Sequence, residues 1–405
     1  MPSHQQYEIT VLGATGWTAT ICAEHIAKTF PTTTKWCIAG RSVDKLEALR
    51  QSLKAVNPDR LEPSIYVIPQ LDAKALDPLI RDTNILINGI GPYHRYATPV
   101  VESCARNGTH YVDFSTETAW IAEMIRDYDE LAKESGAIII PAISTSSSPS
   151  DLVAWLLACH LRDEGLPPAS EVVCSGKLNM LGMQGGSLHT VLDVAERYGI
   201  GGWLNGDPWV LSSSPKPQET PTTGLLGHRH DSVLGHLGTS FVAWGNQSVV
   251  QRSAGLDPQT YGKSFIFHEY IPATGFLSAA IIHLVTKLGI LLLSIPIFRS
   301  FVRGKSFDPG YGPDRAESRE IESAEWKAAA YIEGKVDPVA VATFGYKGAL
   351  VDMSAVLAVE AAAAIQDKAK NDGSRKGGLL TPSTLGSPFV DRLRKVGLTL
   401  TVDGL

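Results

Sequence analysis

A glycine loop near the start of the chain has the residue types that bind phosphate. The apolar run Tyr7–Leu12 predicts a β-strand and is followed at once by G-A-T-G-W-T-A, residues 13–19. Glycine permits a tight turn and a close approach of the backbone, and the small Ala19 permits close packing of a helix on a strand. Free N–H groups at the start of that helix can donate to phosphate oxygens. We therefore predict a dinucleotide pyrophosphate site, with a structural turn as the alternative, at Gly13, Ala14, Thr15, Gly16, Trp17 and Thr18.

The end of the second predicted strand indicates which dinucleotide this is. The sequence there is A-G-R-S, residues 39–42, where NAD-binding proteins usually carry an acidic residue for the ribose 2′-hydroxyl. Arg41 can instead make charge-assisted hydrogen bonds to a 2′-phosphate, and the Ser42 hydroxyl can donate to it. This pattern favours NADP(H). In the alternative interpretation, Arg41 is solvated and Ser42 only caps the next helix.

Two further segments are candidates to contact the cofactor. Asp72 follows the third predicted strand, where it either receives the adenine amino group or caps the helix that begins near Lys74. The fourth strand, Ile85–Asn88, leads into G-I-G-P-Y at the carboxyl edge, where ligands bind in such sheets. We expect that edge to border the nicotinamide ribose through Asn88, Gly89, Ile90, Gly91 and Tyr93.

Hydride transfer from a nicotinamide can require a proton donor close to the acceptor. Tyr93 is the first candidate because a phenol can donate a proton, although packing on the cofactor or holding the turn is the alternative. His94 is the second, with a surface position as its alternative. Asp151 is an acid or base candidate, but S-P-S-D at 148–151 also has the form of a capping box with proline in the first helical position. Glu117 falls in a first helical turn, where acids suit the helix dipole.

Alternating strands and helices place these residues in an α/β fold. Short apolar runs alternate with stretches of helical spacing, which is typical of a Rossmann-type, doubly wound parallel sheet. We assign residues 1–145 to this domain. The predicted strands are Tyr7–Leu12, Trp36–Ala39, Ser64–Ile68, Ile85–Asn88, Tyr111–Asp113 and Ala137–Pro141, and the predicted helices are Ala19–Lys28, Lys45–Leu53 and Thr116–Lys133.

A second α+β domain with a mixed or antiparallel sheet is predicted over residues 146–351. Gly245-Asn246 is a hairpin signal between two of its strands, and Ser212–Gly224 is predicted to be a surface loop. Residues 352–405 contain a helix and are expected to pack back on the first domain. The predicted strands are Glu171–Lys177, Thr239–Trp244, Ser248–Arg252, Ser264–Ile271, Glu325–Glu333 and Ala340–Tyr346.

The segment 275–302 is unusually apolar. His283, Lys287 and Pro296 interrupt it, whereas a membrane-spanning helix needs about 20 apolar residues. We therefore predict an amphipathic helix pair that borders a hydrophobic channel, touches a membrane or lipid surface, or packs on a second subunit.

Composition excludes several other classes of function. The chain has 405 residues and a net charge of −6 without a basic cluster, which argues against a nucleic-acid partner. Its five cysteines lack zinc spacing, so we expect reduced thiols and no metal site. The short polar stretch 1–6 runs straight into a strand, which predicts no signal peptide and a cytoplasmic location.

Six motifs together resemble the saccharopine-dehydrogenase-like oxidoreductases, in the branch that includes trans-acting enoyl reductases. The resemblance implies a Rossmann domain, a mixed-sheet second domain and NADP(H). One departure is Ser115-Thr116-Glu117, which stands where the family has a T-G-E-like triplet and lacks its glycine. The motifs are G-A-T-G-W-T-A (13–19), A-G-R-S (39–42), N-G-I-G-P-Y (88–93), H-Y-V-D-F (110–114), S-P-S-D-L (148–152) and G-G-L-L-T-P (377–382).

The resemblance implies an NADP(H)-dependent enoyl or enone reductase acting on a hydrophobic, polyketide- or lipid-like molecule in secondary-metabolite or lipid biosynthesis. Hydride would go to the β-carbon, with Tyr93 or water protonating the α-carbon. A homodimer and a partner synthase are further expectations. The alternatives are a redox-neutral isomerase or cyclase, a non-catalytic cofactor-binding protein that docks on lipid or a partner enzyme, and an imine-reducing, saccharopine-like dehydrogenase. That dehydrogenase would bind substrate carboxylates through Lys177, Arg197, Arg252 or Lys263.

Overall fold

Two seven-stranded sheets form the framework of the protein. The structure is a computed structural model that describes residues 5–217, 223–224, 226–371 and 377–405. The predicted loop Ser212–Gly224 therefore lies partly outside the described residues. The strands of the first sheet are β1 Tyr7–Leu12, β2 Trp36–Gly40, β3 Ser64–Val67, β4 Thr83–Asn88, β5 His110–Asp113, β6 Ile138–Ile140 and β13 Gly378–Leu379. Those of the second are β7 Glu171–Asn179, β8 Arg229–Asp231, β9 Gly235–Thr239, β10 Ile266–Pro272, β11 Ser323–Tyr331, β12 Ala340–Lys347 and β14 Thr399–Gly404.

The first sheet has the topology of a dinucleotide-binding fold. Its order is β13-β6-β5-β4-β1-β2-β3, and all neighbouring strands pair in parallel. The order reverses at β1 and β4, so their carboxyl ends border the crevice where ligands bind in such sheets. The predicted Rossmann-type class is confirmed.

The second sheet is mixed, as predicted. Its order is β14-β12-β11-β7-β10-β9-β8, in which β7 and β10 pair in parallel and the other neighbours pair antiparallel. The helices of the chain are α1 Trp17–Thr29, α2 Val43–Val56, α3 Ala73–Arg81, α4 Tyr93–Tyr96, α5 Thr98–Asn107, α6 Thr118–Ser135, α7 Ser147–Asp163, α8 Gly185–Tyr198, α9 Gly201–Asn205, α10 Ala243–Leu256, α11 Pro258–Tyr261, α12 Phe276–Leu293, α13 Pro296–Arg303, α14 Arg315–Ile321, α15 Leu350–Asn371 and α16 Gly386–Lys395, with a 3-10 turn at Pro382–Leu385.

The C-terminal segment takes part in both halves of the molecule. Helix α15 packs on α1, and β13 extends the first sheet beside β6. Strand β14 instead pairs with β12 in the second sheet. One buried apolar cluster runs from β1 and α1 through α15 and α7 to β11 and β12. The two sheets thus share a core, and the domain limits 1–145 and 146–351 stay a prediction.

Two predicted strands and a hairpin at residues 239–252 are wrong. The strands Thr239–Trp244 and Ser248–Arg252 and the turn Gly245-Asn246 fall at the end of β9 and within helix α10. Residues seven apart lie on the same face of a helix, so Asn246 and Ser253 of α10 both face helix α7. There the Ser147 hydroxyl donates to Asn246 (2.9 Å) and the Ser253 hydroxyl donates to Asp151 (2.5 Å). Buried polar side chains need such partners, and this requirement outweighs the strand propensity of the valines.

A buried carboxyl links α7, α10 and β10. Glu269 is 3% exposed and accepts hydrogen bonds from the Ser150 hydroxyl (2.5 Å) and the Asn246 amide (2.8 Å). Desolvation by burial dominates over these bonds and raises the pKa of Glu269 to about 7. The native state therefore holds a proton that the unfolded chain releases at much lower pH.

We predict that Glu269→Gln makes the protein more stable than wild type above neutral pH. The folded pKa of about 7 exceeds the ordinary value of 4.5, so the stabilisation from this carboxyl is present below pH 4.5 and is lost as pH rises through 7. That loss is about 3 kcal/mol, which a neutral amide of the same shape avoids. Thermal unfolding at about pH 5 and about pH 8 measures the difference. Glu333→Gln, at an exposed carboxyl, is the control and should not change the pH dependence. Parallel profiles for wild type and Glu269→Gln would contradict the prediction.

Candidate cofactor and active site

The glycine loop presents backbone donors at the start of helix α1. Gly13 has a φ of +71°, and its N–H and that of Ala14 donate to the Ala39 carbonyl at 2.8 and 3.1 Å. Within the described parts of the chain, the N–H groups of Thr15, Trp17 and Thr18 have no hydrogen-bond acceptor. A Cβ on Gly16 would lie 3.1 Å from the Gly13 carbonyl oxygen. These residues fit a bound pyrophosphate, because they place free N–H donors at the start of a helix.

The glycine loop packs closely against the loop that follows β4. A Cβ on Gly89 would lie 2.6 Å from the Cβ of Ala19, and a Cβ on Gly13 would lie 2.6 Å from Cγ1 of Ile90. The Gly89 N–H also donates to the Leu12 carbonyl at 2.9 Å. Ala19 is thus accommodated in place of a third glycine because the residue that it faces is itself a glycine.

The predicted 2′-phosphate site has one exposed cation. Arg41 is exposed at the end of β2, and across the described ranges its guanidinium has neither a hydrogen bond nor an ion pair. Ser42 is the N-cap of α2 and accepts from the Lys45 N–H at 3.4 Å. Asp72 caps α3 and accepts from the Ala75 N–H at 3.0 Å. The capping alternatives for Ser42 and Asp72 are therefore observed, and contact of either with the cofactor stays a prediction.

Glu117 holds the turn beside the predicted nicotinamide site. The Gly91–Pro92 peptide is cis, and helix α4 begins at Tyr93. The Glu117 carboxylate accepts from the backbone N–H groups of Tyr93 (2.7 Å) and His94 (2.9 Å), and it pairs with His94 Nδ1 at 2.6 Å. Glu117 is the N-cap residue of α6, but its side chain makes no hydrogen bond to that helix. The prediction that Glu117 interacts with the dipole of its own helix therefore missed its main role, which is to bind the turn that follows β4.

The Tyr93 phenol lies in the core below this turn. Its hydroxyl donates to the Asn88 carbonyl (3.4 Å) and accepts from the Phe114 N–H (3.2 Å), and its ring centroid lies 5.8 Å from that of Trp120. Burial and the nearby Asp113 carboxyl raise the pKa of Tyr93 well above its usual value. These contacts support the turn-holding alternative for Tyr93, and its role as a proton donor stays a prediction.

A buried network joins the carboxyl ends of β4, β5 and β6. The Asn88 amide donates to the Tyr111 hydroxyl (3.0 Å), which donates to Asp113 (2.7 Å). The other Asp113 oxygen accepts from the N–H groups of Ser115 (2.9 Å) and Ala142 (3.1 Å). Ala142 has a φ of +66°, which is unusual for a residue with a side chain. Burial raises the pKa of Asp113 to about 7.

The lost glycine of the T-G-E-like triplet does not distort the loop after β5. Among the described residues that are not glycine, only Ala142 has a positive φ, so Thr116 takes an ordinary conformation there. Thr116 is exposed, whereas Ser115 and Glu117 on either side are buried. The Ser115 hydroxyl accepts from the Glu117 N–H at 3.2 Å. Position 116 therefore tolerates a side chain.

Asp151 is not brought together with Tyr93 and His94. Helix α7 begins at Ser147 with Ser146 as its N-cap, so Pro149 is its third residue and the predicted capping box is wrong. Asp151 is fully buried and accepts from the Ser253 hydroxyl (2.5 Å) and the Ser383 N–H (2.7 Å). Burial raises its pKa to about 6. These bonds connect α7 to α10 and the 3-10 turn, and a catalytic role for Asp151 stays a prediction.

Segments from the second half of the chain contact helices α1 and α4, which border the predicted cofactor site. A Cβ on Gly312 would lie 3.5 Å from Trp17 Nε1 and 3.3 Å from Gln184 Cγ, so this loop lies against the start of α1. Asp193 of α8 pairs with Arg95 of α4, the turn beside the predicted nicotinamide site, at 3.1 Å and with Arg303 of α13 at 2.8 Å. Sequence reasoning missed these contacts, because nothing local in the sequence indicates them.

Comparison with known proteins identifies the class. Residues 9–140 match the saccharopine dehydrogenase NADP-binding domain. The chain is 26% identical to a trans-acting enoyl reductase of Mycobacterium ulcerans, over 100% of this chain and 99% of the other, and 34% identical to a lipid droplet localized protein of Caenorhabditis elegans over 36% and 35%. Apo saccharopine dehydrogenase of Saccharomyces cerevisiae has the same fold, with a TM-score of 0.55 at 12% identity, over 98% of this chain and 100% of the other.

The protein is therefore an NADP-dependent oxidoreductase with a Rossmann-type cofactor domain. The match of residues 9–140 to the saccharopine dehydrogenase NADP-binding domain agrees with the family resemblance that the motifs indicated.

We predict that Gly89→Ala weakens both the fold and NADPH binding. The added methyl group would lie 2.6 Å from the Ala19 Cβ and force apart the two loops that border the cofactor. Such overpacking costs about 1–3 kcal/mol of stability. Gly186→Ala is the matched control, because a Cβ there meets nothing within 4 Å. Urea unfolding and NADPH fluorescence titration are the measurements, and equal behaviour of the two variants would contradict this packing.

We predict that Arg41→Ala selectively weakens NADPH binding. A charge-assisted hydrogen bond to the 2′-phosphate contributes about 1.5–3 kcal/mol, so Kd for NADPH should rise about tenfold to a hundredfold. Kd for NADH should hardly change, because NADH lacks that phosphate. Lys45→Ala, which removes another exposed cation of the same region, is the control. An equal loss for both nucleotides would place the 2′-phosphate elsewhere.

Proposed function

We propose that the protein is an NADPH-dependent reductase of α,β-unsaturated carbonyl groups in hydrophobic, polyketide- or lipid-like molecules. The observation that carries this proposal is the His94–Glu117 pair, buried beside the predicted nicotinamide loop, with His94 and Glu117 side chains only 2% and 1% exposed. The name of the Mycobacterium ulcerans relative, a trans-acting enoyl reductase that this chain matches over its full length, supports the same reaction class.

Each residue of the candidate site has a separate role in the proposed reduction. When bound, NADPH supplies a hydride to the β-carbon. The donors of the glycine loop would hold the pyrophosphate, and Arg41 the 2′-phosphate. Glu117 is a positioning residue: by accepting from His94 Nδ1 it leaves Nε2 as the imidazole atom that faces away from the carboxylate. We assign the proton that goes to the α-carbon to Nε2–H of the His94 imidazolium, which keeps Nδ1–H on Glu117, becomes a neutral imidazole and regains its proton from solvent. His94 takes this role in place of Tyr93, whose hydroxyl is engaged by backbone groups.

The buried cation predicted for an imine-reducing dehydrogenase is engaged by the protein itself. Such an enzyme needs cations that are free to bind substrate carboxylates. Arg252, the most buried candidate, is held by the carbonyls of Leu379 and Leu211 and by Asp129 at 3.4 Å. Lys177 and Lys263 are exposed, and Arg197 lies over the Tyr198 ring. Reduction of an apolar enone needs no such cation.

The test is NADPH oxidation with a panel of long-chain enones and 2-enoyl thioesters. Stoichiometric loss of NADPH with saturation of the carbon–carbon double bond is the expected result. Conversion of substrate without NADPH consumption would favour the isomerase or cyclase alternative. NADPH binding without turnover of any substrate in the panel would contradict the reductase proposal and favour a non-catalytic protein.

We predict that His94→Gln lowers kcat by about 10²–10⁴ and leaves Kd for NADPH unchanged, since general acid catalysis contributes a factor of this size. Tyr96→Phe, in the same turn and 45% exposed, is the matched control and should keep full activity. A fully active His94→Gln variant would mean that the proton comes from water or another group, even if the enone is still reduced.

Lipid association is a further part of the proposal. The Caenorhabditis elegans relative is named a lipid droplet localized protein, and a hydrophobic substrate would be concentrated at such a surface. A homodimer and a partner synthase stay predictions.

A further inference from the structure

Helices α12 and α13 both expose large apolar side chains. Within the described residues, α12 is the one helix long and apolar enough to span a membrane by length and composition, with a mean hydropathy of 2.1 and only 22% of its residues buried. Its exposed side chains recur at helical spacing on one face, and the neighbouring helix α13 exposes two more, Ile297 and Phe301, one helical turn apart. We call this set the apolar stripe: Leu277, Ile281, Leu284, Val285, Leu288, Leu291, Ile297 and Phe301, all at least 50% exposed.

The opposite face of α12 is anchored to the protein along its length. Ala279 and Ile290 are buried there. His283 Nδ1 lies 2.8 Å from the Thr239 hydroxyl of β9, and Lys287 Nζ donates to the Leu204 carbonyl of α9 at 2.8 Å. A spanning helix would have to break these contacts, and 18 residues reach about 27 Å, less than the ~30 Å hydrocarbon core. This helix therefore fits a flat orientation on a surface.

Helices α12 and α13 contain basic residues and no acidic residue. Residues 276–307 contain no acidic residue, although the whole chain carries a net charge of −6. Arg303 pairs with Asp193, whereas Arg299 binds the carbonyls of Leu293 and Ser294, so no acid neutralises it. The cations of this segment are Lys287, Arg299, Arg303 and Lys305. Lys287 lies on the anchored face and Arg303 is paired, whereas Arg299 and Lys305 form no ion pair among the described residues. Two such cations next to an apolar face match the headgroup–acyl boundary of an anionic lipid surface.

We propose that the apolar stripe docks flat on a phospholipid surface that carries anionic headgroups. A two-fold contact between two copies fits less well, because it would bring together Arg299 and Lys305 of both copies, which form no ion pair among the described residues. The inference specifies the lipid association proposed above and does not depend on the reaction. It also places the lipid contact near the active site, since Asp193 binds both Arg303 of α13 and Arg95 of the nicotinamide turn.

The test is flotation of the full chain with vesicles of phosphatidylcholine, with or without phosphatidylserine. Wild type should float with the anionic vesicles, less at high salt, and little with pure phosphatidylcholine. The double variant Ile297→Ser with Phe301→Ser should bind about tenfold more weakly or worse, since it removes two large side chains from the buried contact. Val336→Ser, at an apolar residue that is 91% exposed outside the stripe, is the matched control and should float like wild type.

Each other result overturns a defined part of the inference. Failure of wild type to float with either vesicle overturns lipid docking, and equal flotation with both vesicles overturns the anionic preference. A dimer that the double variant converts to a monomer, without vesicle binding, assigns the stripe to a second copy. NADPH titration of every variant reports folding and the cofactor site separately, so failure of docking is distinguishable from failure of the proposed function.

Discussion

The turn beside the predicted nicotinamide site depends on one buried carboxylate, that of Glu117. Burying a charge is costly unless it is fully hydrogen-bonded, and here two backbone N–H groups and an imidazole nitrogen compensate it. Because the donors belong to the turn after β4 and the acceptor to the loop after β5, the bonds fix two chain segments relative to each other. The orientation of the His94 imidazole follows from this constraint.

Close packing of small residues provides the second constraint. Gly13, Gly89 and Ala19 let the loops after β1 and β4 approach until a single added methyl group would collide. Since protein interiors have little spare volume, this contact fixes the crevice width at the point where the strand order reverses. The backbone donors and the Glu117-bound turn consequently border the same crevice.

The second half of the chain mainly positions the elements that border the predicted cofactor site. Asp193 lies between a cation of the nicotinamide turn and a cation of α13, and Gly312 lies against Trp17. The C-terminal segment adds a strand to each sheet, so the sheets share one core. Such an arrangement holds the apolar stripe and the cofactor crevice on one connected body.

The sequence by itself determined the Rossmann-type sheet, the glycine loop and the exposed Arg41, because these depend on local periodicity and on backbone conformations that only small residues permit. It also indicated an amphipathic pair at 275–302. Tertiary structure decided the rest. Helix α10 formed in place of two predicted strands because Asn246 and Ser253 find buried partners on α7 in helical phase. The predicted capping box at Asp151 was wrong because α7 begins earlier, at Ser147. The role of Glu117 was not predictable, since its partners lie more than twenty residues away and proximity in the fold, not in the chain, sets a hydrogen bond.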